Sequence, residues 1–318
     1  MKGQLLGLIE KFKGKKILVI GDIMLDKYLK GDVSRISPEA PVPIVTVTGE
    51  RFVPGGAANV ASNIASLGGN VRMAGVIGND DPGELLIKEL QRRGVGTDSV
   101  IIDKKKPTTQ KVRIVAQNQQ LLRVDYEDTA YIAPATENEL IRSIQSSIPD
   151  SDAIVVSDYA KGAITSELMR SIHTARNNQY LIVDPKPKHK ALYAGVSIIT
   201  PNLKEAREMA HAHDEPGVLG KQLVGELQST ILITLGDKGM ALFEQNGNIT
   251  EIPTKAKEVF DVSGAGDTVV AALALALAAG ADFVQAAFLA NHAAGVVVGK
   301  VGTAVCSIEE LQGSIDRG

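Results

Sequence analysis

The chain has 318 residues, an apolar content of 44% and a formal net charge of −3. The length suits one large α/β domain or two modest ones, and the small net charge gives no support to a nucleic-acid partner or an anionic membrane surface. The one cysteine, Cys306, excludes an intramolecular disulfide framework and is typical of a reducing compartment.

Neither the first residues nor the longest apolar run has the pattern of a membrane segment. Residues 1–16 predict a short amphipathic helix, without the unbroken apolar region of a secretory signal. The run 268–281 is shorter than a bilayer span and predicts a buried helix instead. We therefore expect a soluble, cytoplasmic protein with no membrane partner.

Short runs rich in β-branched residues alternate with helical patterns along the chain. Such runs, each ending in a polar, Gly or Pro turn, lie at 15–22, 70–78, 152–158, 179–185, 196–202 and 230–237. Repeated strand–turn–helix units predict an α/β fold with a doubly wound, mostly parallel sheet flanked by helices. Ligands bind such sheets at the carboxyl ends of the strands. The pattern places there Asp22, Asp158, Asp184, Asn202 and Asp237.

Two segments interrupt this alternation. Residues 34–49 contain prolines at 38, 41 and 43, which forbid a helix there. Residues 108–128 alternate around a polar Asn-Gln-Gln turn, as a hairpin does. We therefore predict a small antiparallel sheet, formed by about 31–50 and 108–128, that is attached to the main body as a lid.

Strand parity groups the charged residues of this lid. Lys111 and Arg113 share one face of their strand, and Arg123 and Asp125 share one face of the return strand. Two interpretations remain open at this point. The face is either solvated, or it closes on a charged substrate.

The strongest chemical motif precedes the apolar helix. Gly264, Ala265 and Gly266 leave backbone N–H groups accessible at the start of a helix, where they bind anions. Asp267 follows, and we expect the helix N-terminus to hold its pKa low. Phosphoryl transfer to an alcohol needs such parts: amides that stabilise the moving phosphoryl group, and a carboxylate that orients the hydroxyl and accepts its proton. The alternative is an ordinary turn and helix cap.

Residues near the first strand suit a ligand with many hydroxyl groups. Gly55 and Gly56 allow close approach to the backbone, and the Asn59 amide can both donate to and accept from a hydroxyl. Asp22 and Asp26 can each accept from a hydroxyl. Taken singly, these residues also fit a turn before a helix and a cap after a strand.

Three further segments suggest a nucleotide with a metal. Asn202 and Glu205 share one face at a helix start, and Glu205 suits the water shell of Mg²⁺, although the helix dipole alone also favours an acid there. A Gly turn at 234–240 follows a predicted strand, and 291–303 offers aliphatic walls for adenine in a chain without Trp. Nucleotide contacts are therefore predicted for Thr234, Gly236, Asp237, Gly239, Asn291, Val298 and Gly302.

Taken in order, these motifs resemble those of the ribokinase-like (PfkB) carbohydrate kinases across essentially the whole chain. The matching stretches are GGAAN at 55–59, NLKE at 202–205, TLGDKG at 234–239 and DVSGAGD at 261–267. The resemblance implies one ribokinase-like domain over 1–318 with a small β lid, ATP and Mg²⁺ as cofactors, and Asp267 as the base beside an anion hole of Gly264, Ala265 and Gly266. It adds Leu203 and Lys204 to the nucleotide site and allows a monovalent cation near 261–263.

A second set of segments resembles the members of that family that phosphorylate D-glycero-β-D-manno-heptose 7-phosphate. They lie at 34–43, 54–61, 118–125, 157–163 and 293–303. This likeness implies ATP-dependent phosphorylation of the anomeric hydroxyl to the 1,7-bisphosphate, on the route to ADP-heptose and lipopolysaccharide cores. Many such kinases are fused to a nucleotidyltransferase domain. The sequence stops at 318, so that activity is expected on another chain or in a part lost by truncation.

A substrate that already carries a phosphate needs fixed positive charge remote from the base. Arg113, Arg123 and Lys161 are the candidates, and Asp184 lies on the same edge of the sheet. The alternatives are a kinase of the same fold for ribose or fructose 6-phosphate, and a catalytically silent sugar or nucleotide sensor. Exposed edges of the lid further predict a homodimer that forms through it.

Overall fold

The structure is a computed structural model that describes residues 2–117, 119–256, 260–300 and 302–317. The helices are α1 Lys2–Ile9, α2 Ala57–Ser66, α3 Asp81–Arg92, α4 Pro134–Ser147, α5 Ser166–Ala175, α6 Leu203–Ala210, α7 Pro216–Leu227, α8 Ala265–Ala278, α9 Phe283–Val297 and α10 Ile308–Arg317. The strands are β1 Lys16–Gly21, β2 Ile23–Ile36, β3 Pro43–Gly56, β4 Asn70–Gly78, β5 Gly96–Asp103, β6 Thr109–Ala116, β7 Gln119–Tyr126, β8 Ala153–Ser157, β9 Tyr180–Asp184, β10 Ile198–Ile199, β11 Thr230–Thr234, β12 Met240–Phe243 and β13 Ile249–Ile252.

The main sheet has the strand order β13-β12-β11-β10-β9-β8-β1-β4-β5. Neighbouring strands are parallel from β11 through to β5, and β12 and β13 continue the sheet in antiparallel pairing. Both faces are buried: Ile17 and Val19 of β1 belong to one apolar core, whereas Leu18 and Ile20 belong to the other. Burial on two faces explains the continuous apolar runs of these strands. The predicted mostly parallel sheet with flanking helices is confirmed.

Helix α8 lies inside the first of these cores. Its residues from Asp267 to Leu277 are buried, so the apolar run at 268–281 does form a buried helix. Helix α8 packs against α2 and α9, and the many alanines of all three allow the close approach. In the described ranges, no helix combines the length and the apolar character that a bilayer crossing requires.

A second sheet has the order β3-β2-β6-β7, and its strands β2 and β6 follow the carboxyl ends of β1 and β5 along the chain. The expectation that it is antiparallel is wrong for one pairing, because β2 and β6 run parallel. The topology explains this: β1 and β5 point the same way, β2 continues from β1, and β6 follows β5 after a short turn. The sheet also begins earlier than predicted, at Ile23. Asn118 of the expected Asn-Gln-Gln turn lies outside the described residues.

Candidate active site

Asp267 is in the first turn of α8 and is buried, with 6% of its surface exposed. Two donors from different elements hold its carboxylate. The amide of Asn59 donates to Oδ2 at 2.7 Å, and the hydroxyl of Tyr159 donates to Oδ1 at 2.7 Å. Asn59 lies in the first turn of α2, and Tyr159 follows β8. The carboxylate is therefore held in one orientation by parts of the chain that are far apart in sequence.

The expectation of a low pKa for Asp267 is wrong. Burial raises the pKa of this carboxyl to about 6, and the negative charge of Asp26 adds to the rise. The hydrogen bonds from Asn59 and Tyr159 and the charge of Lys186 lower the pKa without cancelling the cost of burial. The N-terminus of a helix does not by itself compensate the free-energy cost of removing an ionised carboxylate from water. At neutral pH Asp267 is still mostly ionised, and it is a stronger base than an exposed aspartate.

The turn before Asp267 has a backbone shape that only glycine adopts easily. Gly264 caps α8 with φ +79°, and a Cβ at this position would lie 2.7 Å from the Asn59 amide nitrogen. A Cβ on Gly266 would meet no other atom within 4 Å, so the helix start is open on that side. The first N–H groups of α8 have no carbonyl of their own helix to bind. This turn therefore has the geometry of an anion site beside Asp267.

A cavity of about 310 Å³ lies next to this turn. Ala265 and Gly266 line it on one side. The predicted nucleotide residues that line the rest are Thr234, Gly236, Asp237, Gly239, Asn291 and Val298. The amide of Asn291 donates to the carbonyl of Pro253 at 2.7 Å, so this side chain fixes the cavity wall and its amide is already hydrogen-bonded within the protein. Of the segment 291–303 predicted to hold adenine, Val301 lies outside the described residues.

The other predicted nucleotide residues do not line this cavity, although Asn202 forms a β-bridge with the lining residue Thr234. Asn202 and Glu205 form a reciprocal capping box at the start of α6, and Glu205 also contacts the Lys186 ammonium at 2.5 Å. Lys204 points outwards to solvent, between Asn202 and Glu205, and Leu203 packs on the second core. The backbone N–H of Gly302 donates to Asp261 at 3.1 Å. The capping box explains why Asn202 and Glu205 are three residues apart. Glu205 nevertheless lies at the carboxyl edge of the sheet, where a ligand could reach it.

Acidic residues concentrate between this helix and Asp267. Burial raises the pKa of Asp184 well above its usual range, and the charges of Asp267 and Glu205 raise it further. Burial lowers the pKa of Lys186, but the carboxylates of Glu205, Asp184 and Asp158 together outweigh that effect and raise it. Within the described residues, no group of three or more His, Cys, Asp or Glu side chains is arranged to hold a metal ion by itself. A divalent cation here needs ligands from water and phosphates, which is how proteins commonly hold Mg²⁺.

The two predicted sugar carboxylates have different surroundings. Asp22 accepts backbone N–H groups of Tyr159, Lys161 and Ala163 at 2.8–3.0 Å, so it braces the loop after β8. Asp26 is on β2 and forms an ion pair with Arg113 at 2.5 Å. These positions leave Asp26 better placed than Asp22 to meet a hydroxyl group.

Gly55 and Gly56 lie close to the same strand. A Cβ on Gly55 would lie 2.6 Å from the Asp26 carboxylate, and one on Gly56 would lie 2.7 Å from the Asp22 carbonyl oxygen. Gly56 also has φ +58°, the left-handed conformation. Both glycines therefore make room for the strand that carries Asp26, in addition to any ligand.

The charged residues of the second sheet share one face. Lys111 pairs in register with Asp125, and Arg113 with Arg123, as the strand parity predicts. Every cation that we singled out here contacts an acid: Arg123 Nε lies 2.9 Å from Asp125, and Lys161 Nζ lies 2.6 Å from Glu127. Arg113 is largely buried, whereas Arg123 is half exposed. A charged ligand must compete with these carboxylates for the cations.

Two residues of the site escaped the functional interpretation of the sequence. Tyr159 contacts Asp267, and Lys186 lies between Glu205 and the Tyr159 ring, with Nζ 5.3 Å from the ring centroid. Tyr159 lies in the segment 157–163 that carries the second resemblance, and Lys186 lies two residues after Asp184. Each of them directly follows a predicted strand, and that position at the carboxyl edge of the sheet is the signal that could have identified them.

Comparison with known proteins shows to which family the chain belongs. The sequence profile described as "pfkB family carbohydrate kinase" matches residues 14–310. A protein named "Bifunctional protein HldE" from Desulfatibacillum aliphaticivorans is 42% identical over 314 residues, covering 96% of this chain and 64% of the relative. A protein of the same name from Proteus mirabilis is 44% identical over 309 residues with the same coverages. The chain thus spans about 64% of the length of these relatives.

Solved structures of similar fold include several sugar kinases. Ribokinase from Thermotoga maritima has a TM-score of 0.77 and 25% identity, covering 95% of this chain and 99% of that one. Phosphofructokinase-2 from Escherichia coli has a TM-score of 0.78 and 20% identity, covering 96% and 99%. Ribokinase from Arabidopsis thaliana, solved with ribose and ATP, has a TM-score of 0.71 and 20% identity, covering 96% and 98%. The latter two likenesses show the fold alone, and the ribokinase-like fold is confirmed.

Proposed function

The chain belongs to the pfkB family of carbohydrate kinases and is a phosphotransferase for a sugar hydroxyl, and we propose that its acceptor is the anomeric hydroxyl of D-glycero-β-D-manno-heptose 7-phosphate. Two observations support this substrate. Segments such as SRISPEAPVP at 34–43 and SDYAKGA at 157–163 resemble kinases of that sugar. Relatives named "Bifunctional protein HldE" share 42–44% identity with almost the whole chain. The product is the 1,7-bisphosphate, which places the reaction before ADP-heptose formation in lipopolysaccharide core synthesis.

The observation that carries the proposed chemistry is the position of Asp267. It lies between the open start of α8, where Ala265 and Gly266 line the 310 Å³ cavity, and the acid Asp26 of the lid, whose charge acts on it. In this proposal the amides of the Gly264–Gly266 turn bind the γ-phosphoryl group. The acceptor hydroxyl donates its proton to Asp267 while its oxygen attacks phosphorus in line, and ADP leaves.

We propose that ATP lies along the strand ends with its base in the cavity between Gly239 and Val298. We place Mg²⁺ beside Glu205, because that carboxylate is at the edge of the cleft. The neighbouring Asp184 has a raised pKa, and a nearby cation would lower it by stabilising the ionised carboxylate. When bound, the metal neutralises phosphate charge. Glu205 would hold the water shell of the metal, and Lys186 keeps Glu205 oriented. A monovalent cation near 261–263 and the cytoplasmic location stay predictions.

The lid cations support an acceptor that already carries a phosphate. Arg113 is held by Asp26 at 2.5 Å and lies over the ring of Tyr28, 5.3 Å from its centroid. A sugar whose hydroxyls reach Asp26 and whose anomeric end reaches Asp267 brings its far end under Arg113, Lys161 and Arg123. Guanidinium groups bind phosphate with two parallel hydrogen bonds, so Arg113 is the main contact in this proposal.

The substrate is tested by measuring ADP release with Mg-ATP and four acceptors: heptose 7-phosphate, the same heptose without phosphate, ribose and fructose 6-phosphate. We expect heptose 7-phosphate to have the highest kcat/KM. Faster turnover of ribose or fructose 6-phosphate would replace the proposed sugar by that one. Tight ATP binding with no turnover of any acceptor would instead support the silent sensor.

The phosphate contact is tested by Arg113→Gln, with Arg92→Gln on the exposed face of α3 as the matched control. A lost charge-assisted contact of about 1.5–3 kcal/mol raises KM for heptose 7-phosphate roughly ten- to a hundredfold. The unphosphorylated heptose separates the two effects of this change. If KM rises equally for the phosphorylated and the unphosphorylated heptose, the effect arises from the loss of the ion pair with Asp26, and Arg113 does not bind the phosphate.

We further propose one domain over 1–318 and a homodimer that forms through the lid. The lid ends in the edge strands β3 and β7, which offer unpaired backbone groups, and Val47 and Leu122 are exposed there. Sedimentation of the wild-type protein and of Leu122→Lys tests this. A wild-type monomer at micromolar concentration contradicts the dimer.

A further inference from the structure

The loop that follows β8 is strained and is held by two buried carboxylates. Ala160 has φ +57°, a conformation that costs a residue with a Cβ about 1 kcal/mol or more. Asp22 accepts three backbone N–H groups of the loop, and Asp158 accepts the N–H of Ala160 at 2.7 Å. Asp158 is itself held by His189 at 2.6 Å and by the hydroxyl of Tyr193 at 2.7 Å. Such bracing is typical of a segment that must present one side chain accurately.

The side chain that this loop presents to the centre of the site is Tyr159. Its hydroxyl donates to Oδ1 of Asp267 at 2.7 Å, and the Lys186 ammonium lies 5.3 Å from the centroid of its ring. A cation at that distance attracts the ring face, so the ring is held by Lys186 while its hydroxyl contacts the carboxylate. Burial raises the pKa of Tyr159 well above its usual range, so the phenol remains a donor at working pH.

We propose that Tyr159 is a positioning residue for the transfer reaction: its hydroxyl fixes the Asp267 carboxylate so that the free lone pairs face the acceptor hydroxyl. The inference deepens the proposed function and rests on Asp267 being the base. Asn59 and Tyr159 occupy one lone-pair direction on each oxygen, and a carboxylate has about four. The remaining directions are then the ones that receive the proton.

The same hydrogen bond sets how readily the base is available. A donor to a carboxylate stabilises the ionised form, so Tyr159 opposes the burial that raises the pKa of Asp267. The other groups that act on Asp267 are Asn59, which also donates, Lys186, which favours the ionised form, and the acids Asp26 and Asp184. Without the Tyr159 hydroxyl, one of the groups that lower the pKa of Asp267 is missing, so burial and the neighbouring acids raise that pKa further. The carboxylate then takes up its proton at higher pH.

The first test is the titration of Asp267 in the whole protein, measured by NMR of ¹³C-labelled aspartate carboxylates and assigned by the signal missing in Asp267→Asn. In Tyr159→Phe, which keeps the ring, we expect the Asp267 titration to move up by about one pH unit. Tyr180→Phe is the matched control, because Tyr180 packs edge-on against Phe283 at the opposite end of the sheet. An Asp267 titration that is unchanged in Tyr159→Phe overturns the proposal.

A fluorinated tyrosine at position 159 gives the opposite perturbation. Fluorine withdraws electron density and makes the phenol a stronger donor, so the Asp267 titration should move down while the ring is retained. Shifts of opposite sign for phenylalanine and fluorotyrosine are expected of a hydrogen bond. Shifts of the same sign point to a packing effect and contradict the proposal, and the fluorinated protein decides the matter even if Tyr159→Phe folds poorly.

Kinetics then separate this proposal from the proposed substrate. In Tyr159→Phe we expect the acid limb of kcat/KM to move up by the same unit as the titration, with the KM for ATP unchanged and kcat at pH 8 reduced about tenfold by the looser carboxylate. If the titration moves but the acid limb and kcat do not, Tyr159 does not serve the reaction. The titration needs no sugar, so its outcome holds whichever acceptor the turnover assay identifies.

Discussion

Replacing Asp267 by asparagine tests the base and its burial in one variant. The pKa of this carboxyl is raised from 3.8 to about 6, which means that the folded protein binds a proton between pH 4 and pH 6 that the unfolded chain has already released. Stability from this group is therefore greatest below pH 4 and is lost as the pH rises through 6. A shift of about two units corresponds to about 2–3 kcal/mol of folding free energy over that interval.

The asparagine side chain has no proton to lose, so the variant lacks this pH dependence. It also lacks one acceptor, because its NH₂ group meets either the Asn59 amide or the Tyr159 hydroxyl. That mismatch adds an offset of about 1–3 kcal/mol that does not change with pH. The informative quantity is therefore the change in the stability difference with pH and not its absolute value.

The assay is urea unfolding of both proteins between pH 4 and pH 8. We expect the variant to gain about 2–3 kcal/mol relative to the wild type as the pH rises to 7. In the same samples turnover should fall by about 10²–10⁴, while the affinity for an ATP analogue stays within about twofold. Parallel stability curves would refute the buried carboxylate, and turnover equal to the wild type would refute Asp267 as the base.

Three further predictions concern the same cleft. The wild-type kcat/KM should fall about tenfold per pH unit below pH 6, the pKa of the proposed base Asp267, in a pH–rate profile. Gly264→Ala should lose about 1–3 kcal/mol of folding free energy and most of its turnover. The control is Gly280→Ala, at a glycine with a similar positive φ but with no atom within 4 Å of an added Cβ, and it should lose stability only. Glu205→Gln should raise the Mg²⁺ concentration needed for half-maximal rate several-fold, and the exposed neighbour Glu208→Gln should not; equal Mg²⁺ curves contradict the assignment.

Local pattern in the chain was enough to predict the main sheet and the start of α8. The runs at 15–22 and 230–237 contain the strands β1 and β11, which are buried on both faces, and the preference of β-branched residues for such strands is visible in the sequence itself. The turn at 264–266 was also predictable, since glycine is needed at a left-handed φ and an apolar helix follows it. These features depend on neighbours within a few residues, so periodicity and residue type reveal them.

The tertiary structure decided what surrounds Asp267, the proposed base. The Tyr159 hydroxyl comes from 108 residues away and the Asn59 amide from 208, and the Arg113–Asp26 pair joins residues 87 apart. The parallel pairing of β2 with β6 and the raised pKa of Asp267 likewise depend on which distant segments pack together. Burial and hydrogen-bond partners are properties of the folded neighbourhood, and no stretch of sequence contains them. The chain by itself determined which groups are present, and the fold determined what each group touches.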